Sequence, residues 1–266
     1  MTEAKYQTIQ LEVRDGVGYL TLNRPEIHNA FNDTMIQEIA GALQAMKQDA
    51  AVRVLLFRGA GKSFCAGADL NWMKKMAAYS PEENRADAKK LFEMLQFIEQ
   101  YPKPVLAQVH GAALGGGSGL VAAVDMAFAT DETIFAFSEV RLGLIPAVIS
   151  PWVLQKIGPA KAREYFLTAE RFGAAEAKAM GLINGVGSTD EVEQILQQKI
   201  KHLLSGGPDA LSESKRLIRD VWAAAPADLA ELTSSRIAER RASEEGQEGM
   251  GAFLEKRKPR WSGDTQ

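Results

Sequence analysis

A single cysteine, Cys65, stands among 266 residues, so no internal disulfide can form. That count suits a reducing compartment, and the cytoplasm is the expected location. There are 3 histidines, and no His, Cys, Asp or Glu cluster has metal-ligand spacing, so no metal is expected. Neither sign of charge dominates: 31 Lys and Arg against 34 Asp and Glu leave a net charge of −3, which gives no hint of a nucleic-acid partner. Long hydrophobic runs are also missing. The apolar stretch near Leu120–Ala129 is short and carries Asp125, so no membrane span is expected. The start, Met1-Thr-Glu-Ala-Lys-Tyr-Gln7, is polar and lacks the apolar core of a signal peptide. What is present, 46% hydrophobic and 24% charged residues, fits one or two globular domains. A chain this long buries roughly 70–75% of its unfolded surface and needs no covalent staple.

Periodicity sorts the chain into alternating strands and helices. Ile9–Val13 and Val17–Leu22 flank Arg14-Asp15-Gly16, a β-hairpin with an Asp-Gly turn. Met35, Ile39, Leu43 and Met46 predict an amphipathic helix from about Asn32 to Gln48. Val54–Phe57, Val105–Val109 and Ile134–Phe137 read as short buried strands. Ser80-Pro-Glu-Glu83 is a capping box with proline at the first helical position, opening a helix that carries Leu91, Leu95 and Ile98 and ends before Pro102. Such alternation predicts crossover units and a largely parallel sheet, an α/β fold. From about Glu191 the pattern is helical, with breaks at Gly206-Gly-Pro208 and Pro226.

Two small-residue turns carry the chemistry. Ser63-Phe-Cys-Ala-Gly-Ala-Asp69 and Gly111-Ala-Ala-Leu-Gly-Gly-Gly-Ser-Gly119 each precede a predicted helix, and Phe137-Ser-Glu139 follows. Turns without side chains expose backbone N–H groups, and a pair of them can hold an oxygen that gains negative charge. A nearby carboxylate can move a proton. A dinucleotide fingerprint starting at Gly115 and Gly117 needs glycine where Leu120 stands, and a hydrolase elbow around Ser118 needs glycine at that same position; both fail.

These turns, together with Asn23-Arg-Pro-Glu-Ile-His-Asn-Ala-Phe31, Phe137-Ser-Glu-Val-Arg-Leu-Gly-Leu-Ile-Pro146 and the tail Phe253-Leu-Glu-Lys-Arg-Lys-Pro259, resemble the crotonase (enoyl-CoA hydratase/isomerase) family in the same order over nearly the whole chain. The resemblance implies a crotonase-type spiral of ββα units over 1–190, holding the active site, and a C-terminal helical oligomerisation region over 191–266. It also implies a homotrimer or dimer of trimers, and an acyl-CoA substrate with no separate cofactor. Ala68 and Gly116 match the positions whose N–H groups hold the thioester oxygen, and Glu139 matches the second of the two glutamates of the hydratases. The apolar neighbours Phe135, Phe137, Leu142 and Leu144 lead to the expectation that Glu139 is buried and its pKa raised. The resemblance further assigns substrate or CoA contacts to His28, Ala30, Ala66, Asp69, Leu70, Leu114, Gly119, Arg141, Pro146 and Lys256. Asn29 shares the loop that borders the CoA adenine. His110 and Cys65 are weaker candidates, since a lone Cys is most often a small buried apolar residue.

The chain departs from the family pattern at Gly119, where the first catalytic glutamate belongs. One glutamate is the isomerase pattern. The stretches Ala68–Met76 and Ser138–Pro151 most resemble bacterial methylglutaconyl-CoA hydratases, so the expected activity is hydration of a carboxylated enoyl-CoA. Isomerisation is the alternative, and a non-catalytic CoA- or RNA-binding role the third. On this reading Gly119 removes a charge that would repel a dianionic acyl group, and makes room for it. Arg141 is a candidate partner for the second carboxylate.

Overall fold

The computed structural model describes residues 6–262; residues 1–5 and 263–266, including most of the polar start, lie outside it. The chain opens with β1 (Ile9–Arg14) and β2 (Val17–Leu22), antiparallel across the expected turn, in which Asp15 and Gly16 both have positive φ (50° and 79°). Helix α1 (Asp33–Gln48) is capped by Asn32, whose side chain accepts from the Met35 N–H, and it buries Met35, Ile39, Leu43 and Met46. Then come β3 (Val54–Gly59), α2 (Leu70–Met76) and α3 (Pro81–Glu99), the last opened by the full Ser80–Glu83 capping box. They are followed by β4 (Val105–Val109), β5 (Ala112–Leu114), α4 (Gly116–Ala123), β6 (Met126–Thr130) and β7 (Ile134–Ala136). A 3-10 turn over Glu139–Leu142 leads to α5 (Ser150–Thr168), which is broken where Gly158 takes φ 69° ahead of Pro159. The rest is β8 (Phe172–Gly173), α6 (Ala174–Ala179), β9 (Gly185–Gly187), α7 (Thr189–Ser205), α8 (Pro208–Ala223), α9 (Leu229–Ala242) and α10 (Glu244–Leu254).

The main sheet has the order β1-β2-β3-β4-β6-β9 and is parallel from β2 onward. Its central strands β3, β4 and β6 are largely apolar on both faces because both are covered, whereas the edge strand β1 exposes Gln10, Glu12 and Arg14. Leu55, Phe57, Val105 and Ala107 face the core shared with α1 and α3, while the alternate residues Val54, Leu56, Leu106 and Phe128 meet Val192 and Leu196 of α7. A second, small sheet runs β5-β7-β8. Successive units therefore place one strand in the large sheet (β3, β4, β6), a second short strand or bridge beside β5, and then a helix. This winding is the ββα spiral. Helix α7, the first of the C-terminal helices, packs on the sheet through Val192 and Leu196. Helix α8 has no buried residue and is tied to the sheet side by Lys215, 2.7 Å from Asp125.

Candidate active site

The first turn is held by two strand-like bridges. Phe31 pairs with Ala68, donating from its N–H to Gly67 O (2.7 Å) and accepting from the Asp69 N–H (2.8 Å). Cys65 pairs with Ala113, donating to Ala112 O (3.0 Å) and accepting from the Leu114 N–H (2.9 Å). In such a bridge the residues on either side of Ala68 make the hydrogen bonds, so its own N–H points away from Phe31. Among the described residues that N–H finds no acceptor, and Ala68 is exposed.

The second turn is the start of α4. Gly115, its N-cap, lies at φ 50° and ψ −116°, a conformation that favours glycine, and its N–H donates to Ala136 O (2.9 Å). Gly116 is the first helical residue, so its N–H lacks an intrahelical partner and sits at the positive end of the helix. The turn admits no side chain at Gly117, where an added Cβ would overlap Cys65 O and lie 3.0 Å from Cys65 Cβ. Ser118, fully buried, donates from Oγ to Ala113 O (2.6 Å) and so closes β5 onto α4. Phe31 touches both halves, being bridged to Ala68 while its ring lies 3.2 Å from where a Cβ on Gly116 would stand.

Glu139 reaches this helix start from the 3-10 turn. Its Oε1 would be 3.3 Å from a Cβ at Gly115, and its Oε2 is buried without a hydrogen-bond partner among the described residues. Burial raises its pKa, and a bond from its own backbone N–H opposes this only in part. The shielding differs from the sequence expectation. Phe135 and Phe137 are buried, but Leu142 and Leu144 are 60% and 55% exposed, because the 3-10 turn carries them outward. A carboxyl of raised pKa beside a helix start with a free N–H can take and return a proton while that N–H holds a developing negative charge.

The remaining expected contacts divide. Ala66, Leu114 and Ala30 belong to the frame: Ala66 N–H donates to His28 O (2.9 Å), Leu114 N–H donates to Cys65 O, and Ala30 O accepts from Arg24 Nη1 (2.7 Å). His28 is exposed, in left-handed conformation, with Nδ1 3.0 Å from Ser63 Oγ. Leu70 is 75% exposed at the start of α2. Asp69 has its carboxylate turned inward. It caps α2 through the Asn71 and Trp72 N–H groups and pairs with Arg24 at 2.6 Å. Burial alone would raise its pKa, but Arg24 and the two N–H bonds outweigh this and hold it below the ordinary carboxylate value. Pro146 is buried, whereas Arg141 is exposed on the 3-10 turn. Lys256 is exposed beyond α10 at φ 54°, and none of the bonds joining the two turns and Glu139 involves it. Gly119 requires a correction: it does not make room. A Cβ there would overlap Ile149 Cγ2 and lie 2.8 Å from Ile149 Cβ, so Ile149 fills the place of the missing glutamate side chain.

Sequence reasoning missed Arg24, Phe31 and Ile149, whose parts depend on contacts between distant segments, and it placed Asn29 at the CoA adenine. Asn29 is instead a fully buried strut, donating to Ala60 O and Ser63 O and accepting from the Arg24 N–H. A cavity of about 590 Å³ lies elsewhere, among α8, α9 and α10, lined by Leu217, Ile237 and Trp261. The site is marked by two turn N–H groups without partners and a buried acid, not by volume. Among the described residues no group of His, Cys, Asp and Glu could hold a metal ion, and no helix is long and apolar enough to cross a membrane.

Known proteins share this arrangement of the chain. The structure of an enoyl-CoA hydratase from Shewanella pealeana is 41% identical, covers 97% of each chain and superposes with a TM-score of 0.94. A crotonyl-CoA hydratase from Syntrophomonas wolfei is 34% identical over 95% of this chain and 97% of its own. A peroxisomal Δ(3,5)-Δ(2,4)-dienoyl-CoA isomerase from Arabidopsis thaliana is 31% identical over 98% of this chain and 99% of its own. Residues 12–264 match the enoyl-CoA hydratase/isomerase family, and with the spiral, the paired turns and Glu139 in place the chain belongs to that family.

Proposed function

We propose that the protein hydrates an α,β-unsaturated acyl-CoA, with Glu139 as its acid–base group and the Ala68 and Gly116 N–H groups as donors to the thioester oxygen. The observation that carries this reading is the buried, unpartnered Glu139 Oε2 beside the start of α4. Water adds its oxygen to the β-carbon and passes one proton to the carboxylate, while the alkene electrons move onto the thioester oxygen as an enolate. The two N–H groups stabilise that charge; losing one such donor typically costs about 3–4 kcal/mol. Glu139 then returns the proton to the α-carbon, so one carboxyl serves twice. The chemistry needs no cofactor beyond the CoA of the substrate.

The acyl group carries a second carboxylate, as in 3-methylglutaconyl-CoA. The absence of an acidic side chain at position 119 supports this, since a second anion there would repel such a substrate. Arg141, exposed on the turn that bears Glu139, is the cation offered to it. The working form is a trimer or dimer of trimers in the cytoplasm, supported by the exposed Ile218 and Trp222 of α8. Isomerisation remains the second reading, favoured by the single carboxyl, which can also carry a proton between the α- and γ-carbons. Purified protein is assayed with crotonyl-CoA, 3-methylglutaconyl-CoA and a 3-enoyl-CoA. Highest kcat/KM on 3-methylglutaconyl-CoA is expected; preference for crotonyl-CoA refutes the carboxylated substrate, and turnover of the 3-enoyl-CoA alone replaces hydration by isomerisation.

A further inference from the structure

A line of hydrogen bonds runs from a charged side chain to the turn N–H of Ala68. Arg24 Nη1 donates to Ala30 O (2.7 Å). That carbonyl shares its peptide unit with the Phe31 N–H, which donates to Gly67 O (2.7 Å). The Gly67 carbonyl in turn shares its peptide unit with the Ala68 N–H, which finds no acceptor among the described residues. A trans peptide is planar, and its C=O and N–H point in opposite directions. The guanidinium and the Ala68 N–H therefore stand at the two ends of one row of dipoles, all oriented alike. On the other side of Ala68, the Asp69 N–H donates to Phe31 O (2.8 Å) and fixes the next peptide unit.

The guanidinium is itself held. Its Nη2 meets Asp69 Oδ2 at 2.6 Å, while Asp69 Oδ1 takes the Asn71 and Trp72 N–H groups at the start of α2. The Arg24 backbone N–H donates to Asn29 Oδ1, and its carbonyl accepts from the Ile27 and Asn29 N–H groups. One planar fork thus grips both sides of the Phe31–Ala68 bridge, at Ala30 before Phe31 and at Asp69 after Ala68. The Arg24 and Asp69 side chains are 16% and 7% exposed, so water competes little for either bond.

We infer that Arg24 is a positioning residue for the thioester oxygen: it fixes the direction of the Ala68 N–H and, through two peptide units in series, strengthens it as a donor. The inference rests on the acyl-CoA reading above and deepens it. Hydrogen bonds in a row polarise one another, and a cation at the first carbonyl draws electron density away from the last N–H. Lysine supplies a charge but no planar fork, so it should keep only part of this arrangement.

The test needs no turnover. Butyryl-CoA and its thioether, S-butyl-CoA, in which a methylene replaces the carbonyl, are titrated calorimetrically into the full-length protein and into Arg24→Met and Arg24→Lys. Wild type is expected to bind the thioester about tenfold more tightly, the net yield of two modest hydrogen bonds. Arg24→Met should lower that ratio to about threefold, the share of the Gly116 N–H, with thioether binding within a few-fold of wild type. Arg24→Lys should fall between. The infrared stretch of the isotope-labelled thioester carbonyl, bound, should move to higher wavenumber in both variants, because a weaker donor polarises it less. Circular dichroism and melting identify folded variants; if Arg24→Met does not fold, Arg24→Lys decides. An unchanged ratio or an unchanged stretch in a folded variant gives Arg24 a scaffold role only, overturning the inference and leaving the hydration reading standing. Equal binding of thioester and thioether by wild type overturns both the inference and the Ala68 and Gly116 donors. A wild type that binds as expected but hydrates no enoyl-CoA refutes the hydration reading alone.

Discussion

Replacing Asn29 by alanine tests the frame on which the site is built. The side chain is fully buried, and each of its polar atoms is used: Oδ1 accepts from the Arg24 N–H at 2.8 Å, while Nδ2 donates to Ala60 O at 2.8 Å and to Ser63 O at 2.7 Å. Those three backbone groups have no other partner among the described residues. Each lost bond costs about 1 kcal/mol net, and more where the partner stays buried and unpaired. Asn29 also sits at φ 56°, a left-handed conformation that asparagine tolerates and alanine adopts at roughly 1–2 kcal/mol. Asn29→Ala should therefore destabilise by at least about 4 kcal/mol. Asn29→Gly loses the same bonds without most of the backbone strain, and should lie about 1 kcal/mol above the alanine variant. Urea unfolding followed by circular dichroism gives both values. Activity should fall as well, because Asn29 fixes the carbonyls of the segment leading to Ala68, and a 1 Å displacement of a catalytic group can cost about 100-fold. If Asn29→Ala stays within about 1 kcal/mol of wild type, or if alanine and glycine are equal, the strut account is wrong.

Glu139→Gln should lower kcat by about 10²–10⁴-fold while CoA-ester binding stays within a few-fold; a variant keeping half the wild-type rate excludes Glu139 from the chemistry. In wild type, kcat/KM should rise with pH through the raised pKa of Glu139, because the proton acceptor must be ionised. Stability runs the other way: in the window between the ordinary carboxylate value and the raised one, the unfolded chain sheds its proton first, so stability falls as pH rises. Glu139→Gln should consequently melt higher than wild type near neutral pH, with the gap closing below about pH 4; equal melting at both pH values would contradict a buried carboxyl. Ala68→Pro deletes an N–H that neither bridge uses, so it should abolish turnover in a protein whose circular dichroism and melting are near wild type. A folded, active Ala68→Pro protein removes that donor from the mechanism. Light scattering at micromolar concentration should report a trimer or hexamer, and a monomer would refute the assembly.

The long elements were legible because each carries its own signal. The Asp15-Gly16 turn, the Ser80–Glu83 box and the period of α1 are local chemistry, and the structure places them within a residue or two. The second sheet was mostly illegible, since strands of two or three residues such as β5 and β8 have no periodicity to read. Helix α7 was seen as a helix but not as part of the core, because only its packing partners on β3 and β6 assign it there. At the site, the glycines marked where backbone must be bare, but not what lies against it. Gly119 suggested space, and only the fold shows Ile149 there. Asp69 and Asn29 looked like ligand contacts because polar residues beside a small-residue turn read the same whether they face a ligand or the interior. The Arg24 pairing that turns Asp69 inward spans 45 positions.

Cys65 sits in the turn that leads to Ala68, wholly buried, with its thiol pKa pushed up to about 12 by burial. A thiol in that state is almost entirely protonated near neutral pH and closed to reagents, so labelling requires the segment to lift off Ala113 and α4. No other thiol competes with it. The molecule thus carries an intrinsic clock for breathing of the turn that bears the proposed Ala68 donor: the rate at which a bulky alkylating reagent marks the native protein counts openings of that segment, and a bound acyl thioester, if Ala68 holds it as proposed, should slow the clock.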